Sequence, residues 1–401
     1  MFCLTAVLVG LVDMASDLYV PMLPAIGLAF NASGSWVGAT ISINLVSLGL
    51  AGLYYGKLSD RIGRRPVIIG GLIIFTIASF ACGFSTSIFE LLIARFFQGI
   101  GGGVAFSVGI AVVRDLYSGG PKSAEMFSRM QSVIVLSPAL GPTIGGFIGD
   151  IFGWESIFYV LCGFSTCLLI ATVIFGVETL PTEKRRTDVS IGIKDEYLYF
   201  FKRPLFMCFA GVQILTLGWF WSELAFLPPL FVCHYGVDAS SFGLYLGALM
   251  VAYFLGTLIN QRLVHRFSLK KLVGFGLGTF FLSAILLCLG QWFELLSPWI
   301  LVLLRFPAGI GLGLVFGNAG TLAMEQERER SGSAAAFIGA CELLAGAIGI
   351  CIVDMFGAVA IYPLAGMMII CSFFCVLLMN KTNTLQSCPP ADSKTDLLKV
   401  S

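Results

Sequence analysis

The sequence predicts an all-α integral membrane protein, with twelve transmembrane helices in two pseudo-symmetric six-helix halves. Three observations predict it. The 401-residue chain is 57% hydrophobic and 12% charged, with a mean hydropathy of +0.92, whereas a soluble chain carries about 25% charged residues. That is too little charge for a water-facing surface, so most of the surface faces lipid. The apolar residues gather into twelve runs, each near the ~20 residues a helix needs to cross a bilayer. One signature also occurs twice, 210 residues apart.

The runs fall at 2–24, 36–57, 66–84, 88–113, 126–149, 155–177, 204–227, 240–261, 271–290, 298–321, 333–356 and 359–380. The first is too long for a signal-peptide core and is followed directly by another span, so no cleavable leader is expected. Orientation follows from lysine and arginine. Of 24 such residues, 22 lie in the alternate loops 57–65, 114–129, 184–203, 262–271 and 328–330 and the tail 381–399. The other two, Arg95 and Arg305, lie inside spans. The opposite loops carry none and hold Asp150, Glu155, Asp238 and Glu294 instead. Basic loops stay cytoplasmic, so both termini are expected inside.

The longest polar stretch, Glu178 to Arg203, divides the chain. The expected units are a six-helix bundle over 1–177, a cytoplasmic linker over 178–203, a second bundle over 204–380 and a disordered tail over 381–401. A net charge of +1 gives no reason to expect a nucleic-acid partner. The twelve cysteines form no CxxC pair and mostly lie inside apolar runs. They read as small hydrophobic fillers, not as a metal site or disulfide framework. Neither a cofactor nor an enzymatic activity is expected.

The repeated signature is Arg95-Phe-Phe-Gln-Gly-Ile-Gly-Gly-Gly in span four and Arg305-Phe-Pro-Ala-Gly-Ile-Gly-Leu-Gly in span ten. Asp60-Arg-Ile-Gly-Arg-Arg after span two has a degraded echo, His265-Arg-Phe-Ser-Leu-Lys, after span eight. Both repeats run in the same direction, six spans apart, which is a parallel duplication. An arginine at membrane depth opening both copies argues against chance likeness between glycine-rich helices.

Gly56-Lys-Leu-Ser-Asp60-Arg61-Ile-Gly63-Arg64-Arg65 resembles, nearly residue for residue, the loop 2–3 signature of the major facilitator superfamily. The resemblance implies a carrier with alternating access in which this element latches one conformation. Asp60 can cap a neighbouring helix N-terminus, the start of span eleven at Ser331 being the expected partner, while the arginines face anionic head groups. Span five contains Ser137-Pro138-Ala-Leu-Gly141-Pro142-Thr-Ile-Gly145-Gly146. Its prolines kink the helix and its glycines admit a close neighbour. This resembles the superfamily's antiporter signature, with Ser137 where a glycine is usual. Asp13-Met-Ala-Ser-Asp17-Leu-Tyr19-Val-Pro21 in span one, together with Glu178-Thr-Leu-Pro181 after span six, resembles the bicyclomycin and chloramphenicol resistance branch of the drug:proton antiporters. Asp17 falls on that branch's acidic position, and the branch implies a bacterial inner membrane.

Ionisable groups at membrane depth are expensive and usually functional. The interior set is Asp13, Asp17, Arg95, Glu223 and Glu342, so any proton coupling must run through carboxylates. Asp17 with Arg95 is the favoured pair, and Asp13, one turn earlier on the same face, is the rival proton site. Asn44 and Gln98 are expected to add hydrogen bonds to a substrate. Glu223 is expected nearly wet at the outer end of span seven. Glu342, roughly 13 Å into span eleven at 1.5 Å per residue, suits a substrate role and a packing role equally. Arg305 is expected to be neutralised by Glu342. Trp219, Phe220, Trp221 and Phe226 suit either a pocket or, more commonly, an interfacial belt.

The expected function is proton-driven export of small amphipathic or lipophilic compounds by a monomer whose partners are substrate, protons and membrane lipid. A dedicated exporter of a natural metabolite such as a siderophore is the second reading, and a proton-coupled importer the third.

Overall fold

The computed structural model describes residues 1–117, 137, 140–185, 193–327, 330–355 and 361–387, and among these every regular element is helical. The helices are α1 (Phe2–Asp17), α2 (Leu23–Ala29), α3 (Gly34–Ile62), α4 (Arg64–Gly83), α5 (Ile88–Tyr117), α6 (140–152), α7 (Glu155–Phe175), α8 (Ile193–Phe201) and α9 (Pro204–Pro228). They continue with α10 (Ala239–Leu263), α11 (Leu269–Trp292), α12 (Pro298–Gln326), α13 (Ser331–Met355) and α14 (Ile361–Ser387). Eleven stretches among the described residues are long and apolar enough to cross a membrane. The fifth expected span, 126–149, lies partly outside the described residues. Its described part is helical, as α6. Exposed Ile77, Phe80, Ile170, Leu303 and Phe373 point outward, as lipid-facing side chains must.

Span one departs from the unbroken helix expected over 2–24. α1 stops at Asp17, a short 3₁₀ turn covers Val20–Met22, and α2 follows. Pro21 and Pro24 lack the amide hydrogens that an α-helix would need there. The basic loop after span two is almost all helix, because α3 runs on to Ile62 and α4 begins at Arg64. Gly63 turns the chain between them with φ +104°, a conformation that L side chains rarely adopt.

The sequence repeat is repeated in packing. In α5, Gly103 lies so close to α3 that an added Cβ would stand 2.9 Å from the Gly52 nitrogen. In α12, Gly313 makes the same approach to α10, 2.5 Å from the Thr257 nitrogen. Gly101 presses on Gly71 of α4 as Gly311 presses on Gly276 of α11. Small residues on opposite faces of span four, and again of span ten, therefore let two neighbours approach at backbone distance.

The halves meet along α3 and α13. Gly49 abuts the Ala340 carbonyl, and Ser42 Oγ donates to the Ala347 oxygen at 3.4 Å. Gly243 of α10 packs on Thr143 of α6. Beneath the bundle, α8 bridges both sides of the 178–203 stretch: Tyr197 donates to the Leu53 oxygen of α3 at 3.1 Å and stacks on Phe337 of α13.

Candidate functional site

Arg95 of α5 is fully buried. Its Nη1 donates to Gln98 Oε1 at 2.6 Å, and Gln98 Nε2 donates in turn to Ser79 Oγ at 2.8 Å. Its Nε reaches the Thr40 oxygen at 3.5 Å, while the guanidinium lies 4.6 Å from the Tyr19 ring centroid. Tyr19 is held by a 2.6 Å hydrogen bond between its hydroxyl and Thr40 Oγ1. Asn44 Nδ2 donates to the Arg95 carbonyl at 2.9 Å. Gln98 and Asn44 thus spend their amides tying spans two, three and four together.

Asp17 corrects the expected pairing with Arg95. Its partner is Ser137 of span five, which donates from Oγ to Asp17 Oδ2 at 2.7 Å, leaving Oδ1 without a partner among the described residues. Both residues are buried. Span five reaches Asp17 because Gly141 packs on the Asp17 side chain and Gly145 on the Leu18 carbonyl, with Gly149 against Met22 continuing the stripe one turn on. Gly146 and Pro142 are buried beside them, whereas Pro138 lies outside the described residues. Asp13, one turn earlier, is also buried, and its Oδ2 has no partner among the described residues. Ser137, the one departure in the span-five signature, is therefore the residue that touches the acid.

In the second half, three expectations are corrected. Arg305 pairs with Glu223, not Glu342: Nε donates to Glu223 Oε1 at 2.5 Å, and Nη2 joins the same oxygen. Glu223 is buried, not wet, because the span continues past it through a π-helical turn at Pro229–His234. Trp219 is also buried instead of belonging to a belt. It lies 4.5 Å beneath the Arg305 guanidinium and edge-on to Phe280. Trp219, Glu223 and Arg305 line a small cavity of about 20 Å³, room for one or two waters, together with Phe220, Met250 and Tyr253.

The two arginines thus sit in matched settings, each over an aromatic ring of its half's first span, Tyr19 or Trp219. They differ in charge. Arg305 has Glu223 four residues after its ring, whereas the residue four after Tyr19 is Leu23. Glu342 is buried with Gln213 in hydrogen-bonding reach, and its Oε1 has no partner among the described residues.

Around the turn at Gly63, Arg64 binds Asp60 at 2.7 Å, Asp115 at 2.9 Å and Ser59 Oγ at 2.6 Å. Gly56 packs on Ser107, and Arg61 is exposed. The sequence reading missed the part played by Glu178. Its carboxylate accepts from the backbone nitrogens of Arg64 at 2.8 Å, Arg65 at 3.2 Å and Leu180 at 3.0 Å, capping α4. Burial alone would raise its pKa, but these donors and Arg185 together bring it below the usual carboxylate range. The acid directly after span six was a usable signal, since a carboxylate suits a helix N-terminus. Helix α8 was also missed. Its aromatic run Tyr197-Leu-Tyr-Phe-Phe201 marks an apolar face inside the polar linker.

A family model described as Major Facilitator Superfamily matches residues 5–350 and 220–396. The chain is 27% identical over 351 residues to a multidrug resistance protein MdtL of Shewanella oneidensis, covering 86% of each. It is 31% identical over 340 residues to the uncharacterized MFS-type transporter YdgK of Bacillus subtilis, covering 83% of each. Its fold is similar to a D-xylose–proton symporter, with TM-score 0.74 at 16% identity over 93% of this chain and 96% of that one. It is also similar to a bacterial homolog of the human lysosomal transporter Spinster in an inward-facing conformation, with TM-score 0.72 at 14% identity over 97% and 98%.

Proposed function

The chain belongs to the major facilitator superfamily of membrane transporters, and from that premise we propose that it exports small amphipathic compounds in exchange for protons. Multidrug resistance relatives of matching length support the export reading. The motifs of spans one and five support membership of the bicyclomycin and chloramphenicol resistance branch, in the inner membrane of a bacterium with both termini cytoplasmic.

One observation carries the mechanism: Asp17 is buried, has a carboxylate oxygen unpartnered among the described residues, and is held by a hydroxyl of the antiporter-signature helix. An isolated charge at this depth costs several kcal/mol, so proton uptake there alters how strongly spans one and five hold each other. Release of that proton to the cytoplasm and substrate to the outside then alternate at the same helix pair. Asp13 is the second carboxylate of this path, and Arg95 fixes Tyr19 and the span-four end of the site. Glu223 and the aromatic side chains around it meet the substrate in a conformation more open than this one, in which the cavity holds only one or two waters. Asp60 and Arg64 hold the cytoplasmic latch, with the start of span eleven as partner.

The test is substrate uptake into everted vesicles with and without an imposed proton gradient. Wild type should accumulate a lipophilic test drug only with the gradient, and Asp17→Asn should not accumulate it at all. Accumulation by wild type in the absence of any proton gradient would overturn the reading. Single cysteines at Ser35, Asp238 and Ser297 in a cysteine-free background should react with an impermeant thiol reagent from outside. Cysteines at Ser118, Thr187 and Ser393 should not.

A further inference from the structure

Helix α8 belongs to no span, and its two faces differ. One face is held by the second half. Phe200 is buried, its ring 5.0 Å from that of Phe206 in α9 and 5.5 Å from that of Phe337 in α13. Tyr199 donates to Glu327 Oε2 at 3.1 Å, and the Arg330 guanidinium lies 4.2 Å from its ring. The other face carries Leu198 and Phe201, three residues apart and therefore neighbours on the helix surface. They are 44% and 58% exposed, although Phe201 also meets the Phe337 ring at right angles.

Depth decides what that exposed face meets. Tyr197 donates to the Leu53 oxygen, and Lys57 Nζ stands 6.0 Å from the Tyr197 ring. Leu53 lies nine residues before the end of α3 at Ile62, about 13 Å in at 1.5 Å per residue, and inside the apolar run 36–57. At its other end α8 is separated from Pro204, where span seven begins, by Lys202 and Arg203 alone. Both attachments set α8 level with the ends of apolar spans, not beyond them in water. The neighbouring surface agrees. Trp36, Leu50 and Tyr54 form an exposed apolar stripe along α3, which only lipid can cover. The exposed face of α8 stands beside the lower end of that stripe, where Tyr197 meets Leu53. Lys202, at the end of α8, is exposed and long enough to reach the phosphate level of a bilayer.

We propose that α8 is an interfacial membrane anchor: Leu198 and Phe201 insert among lipid chains at the basic-loop end of the bundle, and Lys202 meets lipid phosphate. Aromatic and aliphatic side chains on one face with a cation at the edge are the chemistry of a helix lying in a bilayer interface. The partner is the lipid surface itself. It pins the segment joining the two halves to the membrane, whichever way substrate moves.

Spin labels locate this face. Leu198→Cys, Phe201→Cys, Leu303→Cys and Arg266→Cys are made singly in the cysteine-free full-length chain and labelled with a nitroxide. The proteins are reconstituted into vesicles of phosphatidylcholine and phosphatidylglycerol. Power saturation then compares collisions with oxygen, which gathers in lipid, and with a nickel chelate, which stays in water. Leu303, exposed within span ten, and Arg266, exposed in a basic loop, give the lipid and water references. Labels at 198 and 201 should favour oxygen over the chelate severalfold more than the label at 266 does. Adding Lys202→Glu should move both labels toward the water value, and unchanged ratios would overturn the phosphate contact. Ratios at 198 and 201 equal to that at 266 would overturn the anchor. Shielding from both reagents would overturn it too, since a second copy or another part of the chain would then cover the face. An apolar carbene reagent dissolved in the bilayer reads the unsubstituted protein and serves if a cysteine variant does not fold. It should label Leu198 or Phe201, and finding neither labelled would also overturn the anchor.

Discussion

Ser137 Oγ donates to Asp17 Oδ2 at 2.7 Å, joining span five to span one through the only polar contact that Asp17 makes among the described residues. The serine stands where the span-five signature usually has glycine, so this contact belongs to this chain's own sequence. Ser137→Gly should keep the helix packing while removing a hydrogen bond to a carboxylate worth about 1.5–3 kcal/mol. Proton-driven efflux should fall severalfold, with little change in folded yield. Asp17→Asn should abolish that efflux, and Asp13→Asn is measured beside it. If Asp13→Asn abolishes concentrative uptake while Asp17→Asn retains it, the proton site is Asp13.

Glu223 and Arg305 are a buried pair, and breaking one partner strands the other. Glu223→Gln and Arg305→Met should each destabilise the protein by about 3–5 kcal/mol, whereas the double variant should lose clearly less than either. Thermal unfolding in detergent reads the difference. Additive losses would mean that the two groups do not depend on one another.

Gly145 is a point of backbone contact, because an added Cβ would press on the Leu18 carbonyl. Gly145→Ala should destabilise by about 1–3 kcal/mol, the ordinary cost of overpacking, and should lower uptake. Gly163→Ala, at a helical glycine with open space around it, should be neutral or slightly stabilising. Melting temperatures of the two variants decide whether the stripe on span five is a packing surface.

Glu178 ties the end of span six to the start of α4, and its ionised form makes those bonds. Its pKa lies below the ordinary carboxylate value, so the tie is fully present above that ordinary value. It is lost as pH falls through the lower, folded-state value. After correction for intrinsic exchange, the Arg64 and Arg65 amides should stay protected on acidification until below the usual carboxylate range. Glu178→Gln should expose them at neutral pH. Unchanged protection in the Gln variant would remove Glu178 from its capping role.

Much of the architecture was legible in the sequence. Twelve apolar runs, the alternation of basic loops and the 210-residue repeat all follow from lipid as solvent, since a spanning helix satisfies its own backbone and must be apolar over a fixed length. The glycine stripes of spans four and ten were visible because close approach admits no side chain. Where Pro21 breaks span one was written locally too, although hydropathy read across it. The pairings were not legible. That Arg305 takes Glu223 and leaves Glu342 to Gln213, and that Asp17 takes Ser137 and leaves Arg95 to Gln98 and Tyr19, depends on the rotation and height of helices far apart in sequence. A shift of one turn, about 5.4 Å along a helix, exchanges one partner for another without altering any apolar pattern. Composition thus set which charges enter the membrane, and only the packing of helix against helix decided which of them meet.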